Sequence, residues 1–589
     1  MRVILCILLA LGTGCSDKAA GTDTALADTE VLEIRIEPKR VNLVTNLDEP
    51  ATVQLTAIAT MKDGTEVETD MVSWTSSNHS AGDVDEDGMF NASADNGGVT
   101  TITATHVGIK GTARVTVVYE QDIVGSDVDP TQVGAFESAS PVDSDIPAIE
   151  YPLDGVTVPR NLDGLAFSWS LPEGADVSRL RLRSEITDIR VYVNGNEWVS
   201  SSDLWAIISA ANTSGSVEVT VESAEWNGAD LTNVQRGPSM ALTVNRLDAR
   251  GSVLYWVARA ESAPVDDAPP AEPSGDIMRI PFGVTEAEYF WTAEDSSGQC
   301  TGCHTLAESS DRMVVTYQGV NGNFAIIDIT DPDNPELLTE PSESRRATFH
   351  AASPDGQFLL GVAEGRAKLF SMMDGSLISE LGIDGYNVSH PDWSPDGEHV
   401  LLVRTQGTYN SDMNFEGGEI IQMRFNEADR SFGAPEVLVP HSETYNNYYP
   451  AYAPDGQWIV FNRAVRTEIT NFDGSVTESS TSYANPSAEL WLMRRDGSDK
   501  VRLDAANGVG NLQNSFPRWG PLPDDDVLWL AFSTKRTYEV DPNAEIPQIW
   551  VSAIDPSKVE AGEDPSSTPF WLPGQDSQSD NHLAIWWSK

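Results

Sequence analysis

The sequence has few basic residues. Its 589 residues include 37 Lys and Arg against 90 Asp and Glu, so the formal net charge is −53. A chain this acidic repels phosphate, which excludes a general nucleic-acid binder and argues against docking on anionic lipid headgroups. The acidity would attract cations or basic partners, or it would simply keep the surface solvated in a salty medium.

Familiar catalytic motifs are also missing. The chain has no Gly-rich phosphate loop, no G-x-S-x-G nucleophile elbow and no H-E-x-x-H zinc motif. Because no nucleophile and base can be named, a hydrolase is a weak hypothesis. Whether the protein is an enzyme stays open at this point.

The N-terminal apolar run is too short for a membrane span. Val3 to Leu11 is followed by Gly12-Thr13-Gly14-Cys15, which predicts an export signal. A cysteine at the cleavage site resembles the lipobox of bacterial lipoproteins, although Gly12 stands where that family usually has Leu. The resemblance implies a signal peptide over 1–14, a lipid on Cys15, a flexible tether over 15–30, and an outer-membrane or cell-surface location. A conventional secretory signal is the alternative.

Cysteine is rare as well, with four in the chain. Cys6 lies inside the export signal, so Cys300 and Cys303 are the pair that remains beside Cys15. They stand in a C-T-G-C-H stretch that ends at His304. C-x-x-C-H is the sequence form of c-type haem attachment, in which both thiols form thioethers and the histidine binds iron from the proximal side. The motif therefore predicts haem c on Cys300 and Cys303, with His304 as the proximal ligand.

Short strands of alternating polarity fill residues 31–118. Val31–Ile36 and Ala51–Ile58 follow a period of two between turn residues, which indicates a β-sandwich. The V-S-W-T-S-S segment over 72–77 and the D-E-D-G turn over 85–88 resemble the bacterial Ig-like group 2 domain. That resemblance implies a stalk or adhesion module without catalytic residues.

A second β-rich segment follows a stretch without periodicity. Residues 119–147 are rich in Asp, Ser, Pro and Val, and they are predicted to be a linker. Strands such as Leu165–Ser170 and Ile189–Val193 predict another β-sandwich over 148–250. A Phe-Ser-Trp strand after a Pro- and Gly-containing turn is loosely similar to fibronectin type III.

The chain repeats from residue 252 to its end. Pro-Asp-Gly turns at 354–356, 395–397 and 454–456 each precede a strand, and 516–523 is a degenerate fourth unit. These units resemble the TolB-type, WD40-like β-propeller repeat. The resemblance implies an all-β fold: one or two sandwiches, then a six-bladed propeller closed by pairing of its N- and C-terminal strands.

The repeat register brings histidines together. His304, His350, His390 and His582 would each open an inner strand, on four consecutive blades at one mouth of the channel. A haem on Cys300 and Cys303 would then lie over that mouth. His390, two blades from His304, fits best as the distal ligand, with His350 and His582 as further candidates. Met313 is a rival ligand that its apolar strand would rather place in the core.

Three hypotheses follow. The first is an exported, lipid-anchored monomer with covalent haem, acting with an unidentified envelope redox partner in electron transfer or small redox chemistry. The second is a non-catalytic TolB-like binding or scaffold lipoprotein, in which Cys300 and Cys303 form a structural disulfide. The third is a non-haem Zn, Cu or Fe site built from three or four imidazoles, with Cys300 and Cys303 assisting.

Overall fold

A computed structural model describes residues 31–213, 215–258, 275–381, 383, 385–465, 467–470, 476–479, 481–483, 485–521, 527–536 and 546–589. The predicted signal peptide, the tether and the lipidation site Cys15 lie outside these residues. Strands dominate the described part of the chain, so the all-β class is confirmed. None of the helices within these ranges combines the length and apolar character that a membrane span requires.

The chain divides into two compact units, Met1–Tyr119 and Glu120–Lys589. The strands of the first unit are β1 Val31–Glu37, β2 Arg40–Thr45, β3 Thr52–Gln54, β4 Thr56–Met61, β5 Glu66–Thr69, β6 Ser73–Ser76, β7 Gly82–Val84, β8 Met89–Ala92, β9 Gly98–His106 and β10 Ile109–Val124. They pair in three sets, β1-β4-β5, β3-β8-β7 and β6-β9-β10-β2. Alternate residues of β9 are buried, and Ile34, Phe90, Ile102 and Val115 form part of the core.

The second unit begins with structure that the sequence analysis missed. Residues 119–147 were predicted to be a linker, but β10 continues to Val124 and helix α1 spans Pro130–Ser138. Asp129 caps α1, and the Gln132 side chain returns a bond to the Asp129 backbone, which forms a capping box. The linker prediction is therefore wrong. Asp-Pro-Thr-Gln is typical of a turn, and only its capping pattern indicates that a helix begins there.

The strands that follow form two sheets. The elements are β11 Val142–Asp143, β12 Ile149–Tyr151, β13 Val156–Val158, β14 Ala166–Trp169, β15 Val177–Arg183, β16 Thr187–Asn194, β17 Glu197–Val199, α2 Ser202–Ala211, β18 Ser216–Trp226, β19 Leu231–Arg236 and β20 Met240–Val244. One sheet contains β19, β18, β15 and β16 in that order, with β20 paired to β18 and β13 paired to β20; the other is β12-β14-β17. Trp169, Leu180 and Trp205 are buried there.

The repeat region forms a series of antiparallel sheets. Its elements are β21 Ser252–Ala258, β22 Gly275–Pro281, β23 Glu288–Trp291, β24 Thr301–Ala307, a 3-10 turn Glu308–Ser310, β25 Arg312–Tyr317, β26 Asn323–Asp328, β27 Glu336–Thr339, β28 Phe349–Ala352, β29 Phe358–Ala363, β30 Arg366–Ser371, β31 Leu377–Leu381, β32 Val388–Trp393, β33 His399–Thr405, β34 Tyr409–Ser411, β35 Asn414–Phe415, β36 Gly418–Asn426, β37 Ser431–Phe432, β38 Glu436–Val439, β39 Tyr445–Tyr452, β40 Trp458–Val465, β41 Thr467–Thr470, β42 Val476–Ser479, β43 Glu489–Arg494, β44 Val501–Arg502, α3 Asp504–Asn507, β45 Ser515–Trp519, β46 Leu528–Thr534, β47 Gln548–Ile554, α4 Ser557–Ala561, β48 Phe570–Trp571 and β49 Asp580–Trp587.

Six of these sheets share one plan. Their orders are β24-β25-β26-β27, β28-β29-β30-β31, β32-β33-β36 with β37 and β38, β39-β40-β43-β44, β45-β46-β47-β48 and β49-β21-β22-β23. The last sheet joins the C-terminal strand to the first strands of the repeat region. The leading strands β24, β28, β32, β39, β45 and β49 contact one another in that order, and β49 contacts β24. They therefore surround a shared central region.

Local chemistry fixes how neighbouring leading strands lie. The Pro-Asp-Gly turns after β28, β32 and β39 place Gly356, Gly397 and Gly456 at φ of 69°, 72° and 67°, where a side chain would be strained. The Trp393 indole N–H donates to the Ala351 carbonyl of the preceding leading strand at 3.0 Å. Trp519 repeats this bond to Ala451 at 3.1 Å, so both tryptophans set the spacing around the central region.

Candidate functional site

Three predicted histidines occupy equivalent places on adjacent leading strands. His304 lies opposite Val315, and His350 lies opposite Gly361. On β32 a β-bulge inserts one residue between the pairs that flank His390, so that His390 and Pro391 together take the same place. The structure thus brings His304, His350 and His390 to one level of the central region.

His582 does not reach this level. The bulge of β49 falls between the pairs Trp256–His582 and Leu254–Ile585, so Leu583 and Ala584 occupy the bulged place and His582 precedes it. The predicted register was therefore one residue out. No Pro-Asp-Gly turn follows β49, so the sequence has no marker that aligns this strand with the other leading strands. The His582 ring packs against the rings of Trp256 and Tyr483, with centroids 6.0 and 5.3 Å away.

A small cavity lies among the leading strands. Its volume is about 30 Å³, and its walls include Cys303, His304, His350, His390, Tyr449 and Arg518. A cavity of this size accommodates about one water molecule or a single ion. His582 and Cys300 are not among its lining residues.

Several imidazole nitrogens at the cavity make no hydrogen bond within the described part of the chain. They are both ring nitrogens of His304 and the Nδ1 atoms of His350 and His390. These side chains are 4%, 7% and 3% exposed. Buried polar atoms in native proteins ordinarily have a partner, which can be an ion or an ordered water. A bound ion or small molecule could therefore contact these nitrogens without displacing a hydrogen bond within the protein.

The second nitrogens of two rings are held in place. His350 Nε2 lies 3.0 Å from Thr316 Oγ1, and His390 Nε2 lies 3.4 Å from Ser482 Oγ. Such bonds orient an imidazole and fix its tautomer. They leave Nδ1 of each ring for the cavity side.

Burial keeps the histidines and the Cys303 thiol of the cavity uncharged. It lowers the pKa of His304 to about 4 and that of His350 to about 3, and it lowers the pKa of His390 well below the usual value. The imidazoles are therefore neutral at neutral pH, which is the form that binds metals. Burial also raises the pKa of the Cys303 thiol to about 12. A bound cation would lower that pKa again, because coordination favours the thiolate.

The two cysteines have different surroundings. Both carry free thiols. Cys303 packs against an aromatic cluster that includes Phe349, Tyr449 and Phe516. Cys300 lies outside that cluster, with its Sγ 3.4 Å from the Thr301 carbonyl oxygen. The rival ligand Met313 is fully buried in a separate core cluster.

Insertions close the cavity on the side where the leading strands begin. The Ser482 N–H donates to the Met413 carbonyl at 2.8 Å, and the Tyr483 ring packs 6.0 Å from Phe516. Met413 belongs to the excursion between β33 and β36, so two sheets contribute to the cover. Residues 471–475, 480 and 484 of the second insertion, which runs between β40 and β43, lie outside the described residues.

On the opposite side the central region is more accessible. Arg518 and Asp392 lie one register place beyond the histidine level, and both are partly exposed. Sequence reasoning missed Arg518 because the fourth repeat is degenerate. Its position after Phe516-Pro517, matching Asp392 after His390-Pro391, was the available signal.

Donors surround the cavity without already forming a coordination sphere. Across the described ranges, no three His, Cys, Asp or Glu side chains are arranged to hold a metal ion. Binding would therefore require rotation of the Cys303 or His304 side chain, because Thr316 and Ser482 hold the His350 and His390 rings. The His304 ring has no hydrogen bond that such a rotation would break.

Comparison with known families identifies the first domain. Residues 30–117 match the bacterial Ig-like domain (group 2). The predicted Ig-like resemblance is thus confirmed for this segment. No curated protein matches the sequence.

Two solved structures are similar to part of this chain. A TolB structure from Agrobacterium tumefaciens is 16% identical, with 58% of this chain and 99% of that chain covered and a TM-score of 0.32. A Cps50 (Swd1) β-propeller domain from Myceliophteria thermophila is 12% identical, with 55% and 90% covered and a TM-score of 0.30. The strand pairing of the repeat region follows from the structure of this chain alone.

The cavity at His304 is too small for a haem. The thiols and the imidazole are of the right kind, but a porphyrin is many times larger than a cavity of about 30 Å³. Cys300 also lies outside that cavity. The arrangement of these side chains therefore does not accommodate haem where His304 lies, and covalent haem remains a sequence-based prediction.

Proposed function

We propose that the protein is exported and lipid-anchored, and that its central cavity holds one redox-active transition-metal ion. Support comes from unpartnered, buried imidazole nitrogens on three strands that line one cavity with the Cys303 thiol. Thiolate and imidazole ligands suit copper, iron and zinc. Copper or iron would supply one-electron transfer when bound. The lipid predicted on Cys15 would keep the protein in the cell envelope.

The proposal includes a closed, six-bladed propeller over residues 252–589. Its support is the cycle of contacts among the six leading strands and the pairing of β49 with β21. Closing a ring in this way removes exposed sheet edges. The ring would also hold the three histidine-bearing strands at fixed separations, which a metal centre requires.

Each side chain has a distinct part in this proposal. His304, His350 and His390 would offer neutral imidazole nitrogens, and Thr316 would hold the His350 ring in the orientation that presents Nδ1. Cys303 would supply the softest ligand. Tyr449 and Phe349 pack on the His390 ring, with centroids 4.1 and 4.3 Å away, and they would exclude bulk water from it.

The deciding experiment compares metal and haem content in one preparation. The full chain carrying Cys15→Ser would be exported in cells with and without a cytochrome c maturation system. Copper, iron and zinc would be measured by mass spectrometry after purification, and covalent haem on a denaturing gel. We expect about one copper or iron per chain in both preparations and no covalent haem, as a single-ion site implies.

Two results would contradict the proposal in different ways. Covalent haem that depends on the maturation system would restore the cytochrome-like function. Protein without metal or haem, even after exposure to Cu or Fe salts under reducing conditions, would favour the binding or scaffold lipoprotein.

A further inference from the structure

Arg518 introduces a positive charge into an otherwise neutral cavity wall. It lies on β45 opposite Ala531 and lines the same cavity as Cys303, His304 and His390. Its place is one step beyond the histidine level, on the side away from the Ser482–Tyr483 cover. Any small molecule that approaches the histidines from this side passes the guanidinium.

The guanidinium has few partners of its own. One of its N–H groups donates to the Pro517 carbonyl at 2.9 Å. Other arginines of the repeat region, such as Arg404 with Glu419 and Arg495 with Asp396, are paired with carboxylates. Among the described residues, no carboxylate lies within ion-pair distance of Arg518. In a chain with 90 acidic residues and 37 basic ones, this is an unusual environment for an arginine.

The nearest competing charge is Asp392. It occupies the matching place on β32, and its Oδ2 accepts the Tyr452 backbone N–H at 2.8 Å. Burial raises the pKa of Asp392 to about 6, while Arg518 acts in the opposite direction. Arg518 also helps to lower the pKa of His390, after burial. The Arg518 charge is therefore felt at both Asp392 and His390, across the central region.

We propose that Arg518 makes the accessible side of this cavity selective for a small anion, an oxyanion or carboxylate of few atoms, which is held beside the guanidinium at the cavity mouth. The geometry behind it is an unpaired guanidinium at the accessible side of a cavity that is covered on the other side. A role for this anion as the substrate or co-ligand of a metal ion rests on the proposed function. Recognition of the anion by Arg518 does not rest on it, so that recognition can be tested on metal-free protein.

Cys303 provides the probe. In the full chain with Cys6→Ser, Cys15→Ser and Cys300→Ser, Cys303 is the one remaining thiol of the four. Iodoacetate and iodoacetamide both alkylate it: the thiolate sulfur forms a bond to the CH₂ carbon, iodide leaves, and the thiol proton goes to solvent. The two reagents differ mainly in charge. The rate with iodoacetate divided by the rate with iodoacetamide, normalised to the same ratio for the unfolded chain, therefore measures selectivity for an anion.

We expect this ratio to fall about tenfold in Arg518→Gln, since focused charge in a cleft changes anion access rates by this order or more. Any change in the Cys303 pKa cancels, because both reagents need the same thiolate. Arg518→Lys should retain most of the preference. Arg424→Gln, which removes an exposed arginine on β36, is the matched control and should leave the ratio unchanged.

Salt provides a second measurement on the unmutated side chain. Raising the ionic strength should slow iodoacetate and leave iodoacetamide unaffected, because screening acts on the charged reagent alone. An unchanged ratio in Arg518→Gln, the absence of this salt effect, or no reaction of folded Cys303 with either reagent would each overturn the proposal. None of these results bears on metal content, so the proposed metal site is judged separately.

Discussion

His304 and His350 lie at the same register place on neighbouring leading strands, opposite Val315 and Gly361. Both are buried, and a charge on His304 further lowers the pKa of His350. The pair can therefore accept a bound cation more readily than two protons. Acid and metal should compete for these nitrogens.

Acid should destabilise the metal-free protein through these histidines. Burial depresses the pKa of His304 to about 4 and that of His350 to about 3, whereas an unfolded histidine titrates near 6.5. The unfolded state thus binds more protons below pH 6.5, so the stability is complete above that pH and is lost as the pH falls towards these values. Denaturation from pH 7 to 4 should show a loss of about 3 kcal/mol from each of these two histidines.

Substitution identifies the histidine contribution among the titrating carboxylates. His304→Gln should flatten the dependence between pH 6.5 and 4, whereas exposed His441→Gln should leave it unchanged. Equal slopes in the wild type and His304→Gln would show that His304 is not buried neutral.

Two histidines should differ in their effect on metal affinity. His390 lines the cavity, whereas His582 lies one residue before the bulge and outside it. His390→Ala should weaken copper binding by at least about tenfold, since even indirect changes around a metal ligand cost 10–100-fold. His582→Ala should keep the affinity, as measured by competition with a chelator. The reverse order would restore the register predicted from the sequence.

The two cysteines should differ in the same assay. A single ion bound by Cys303 should lose affinity in Cys303→Ser and keep it in Cys300→Ser, because Cys300 lies outside the cavity. Thioether attachment of haem uses both thiols. Equal loss in the two variants, together with covalent haem in the parent protein, would support haem attachment.

The sequence predicted the elements of the site better than their alignment. Pro-Asp-Gly turns mark the leading strands because Gly356 and its equivalents need positive φ, and this requirement is visible in the residue type. The pairing of the C-terminal strand with the strand at 252–258 also followed from the repeats. The C-terminal strand has no Pro-Asp-Gly turn after it, so the pattern did not fix its alignment, and the one-residue error at His582 followed.

Long-range contacts were the other part that local patterns could not reveal. Asp412 looks like an ordinary loop aspartate, yet it is fully buried and binds residues more than forty positions away. The sequence could place Arg518 in the repeat through Phe516-Pro517, but it could not show the cavity beside Arg518, because other strands form that cavity. Such placements depend on tertiary packing, which a periodic pattern does not encode.

Asp412 should be a structural support of the cavity cover. Its carboxylate accepts bonds from Thr348 Oγ1 at 2.6 Å, from the Gly365 N–H at 2.8 Å and from the Tyr409 hydroxyl. Asp412→Ala leaves these buried donors without an acceptor, at about 1–3 kcal/mol each. We therefore expect a loss of about 3 kcal/mol or more in the free energy of unfolding, against about 0.5 kcal/mol or less for the exposed turn residue Asp429→Ala.

The same substitution should alter access to Cys303. Asp412 adjoins Met413, whose carbonyl accepts the Ser482 N–H of the cover, so loss of the Asp412 bonds should loosen both insertions. Iodoacetamide should then alkylate Cys303 faster in Asp412→Ala under conditions where that variant is still folded, and the charge preference set by Arg518 should decline because a second route opens. An unchanged alkylation rate, with the stability loss confirmed, would show that the cover does not depend on Asp412.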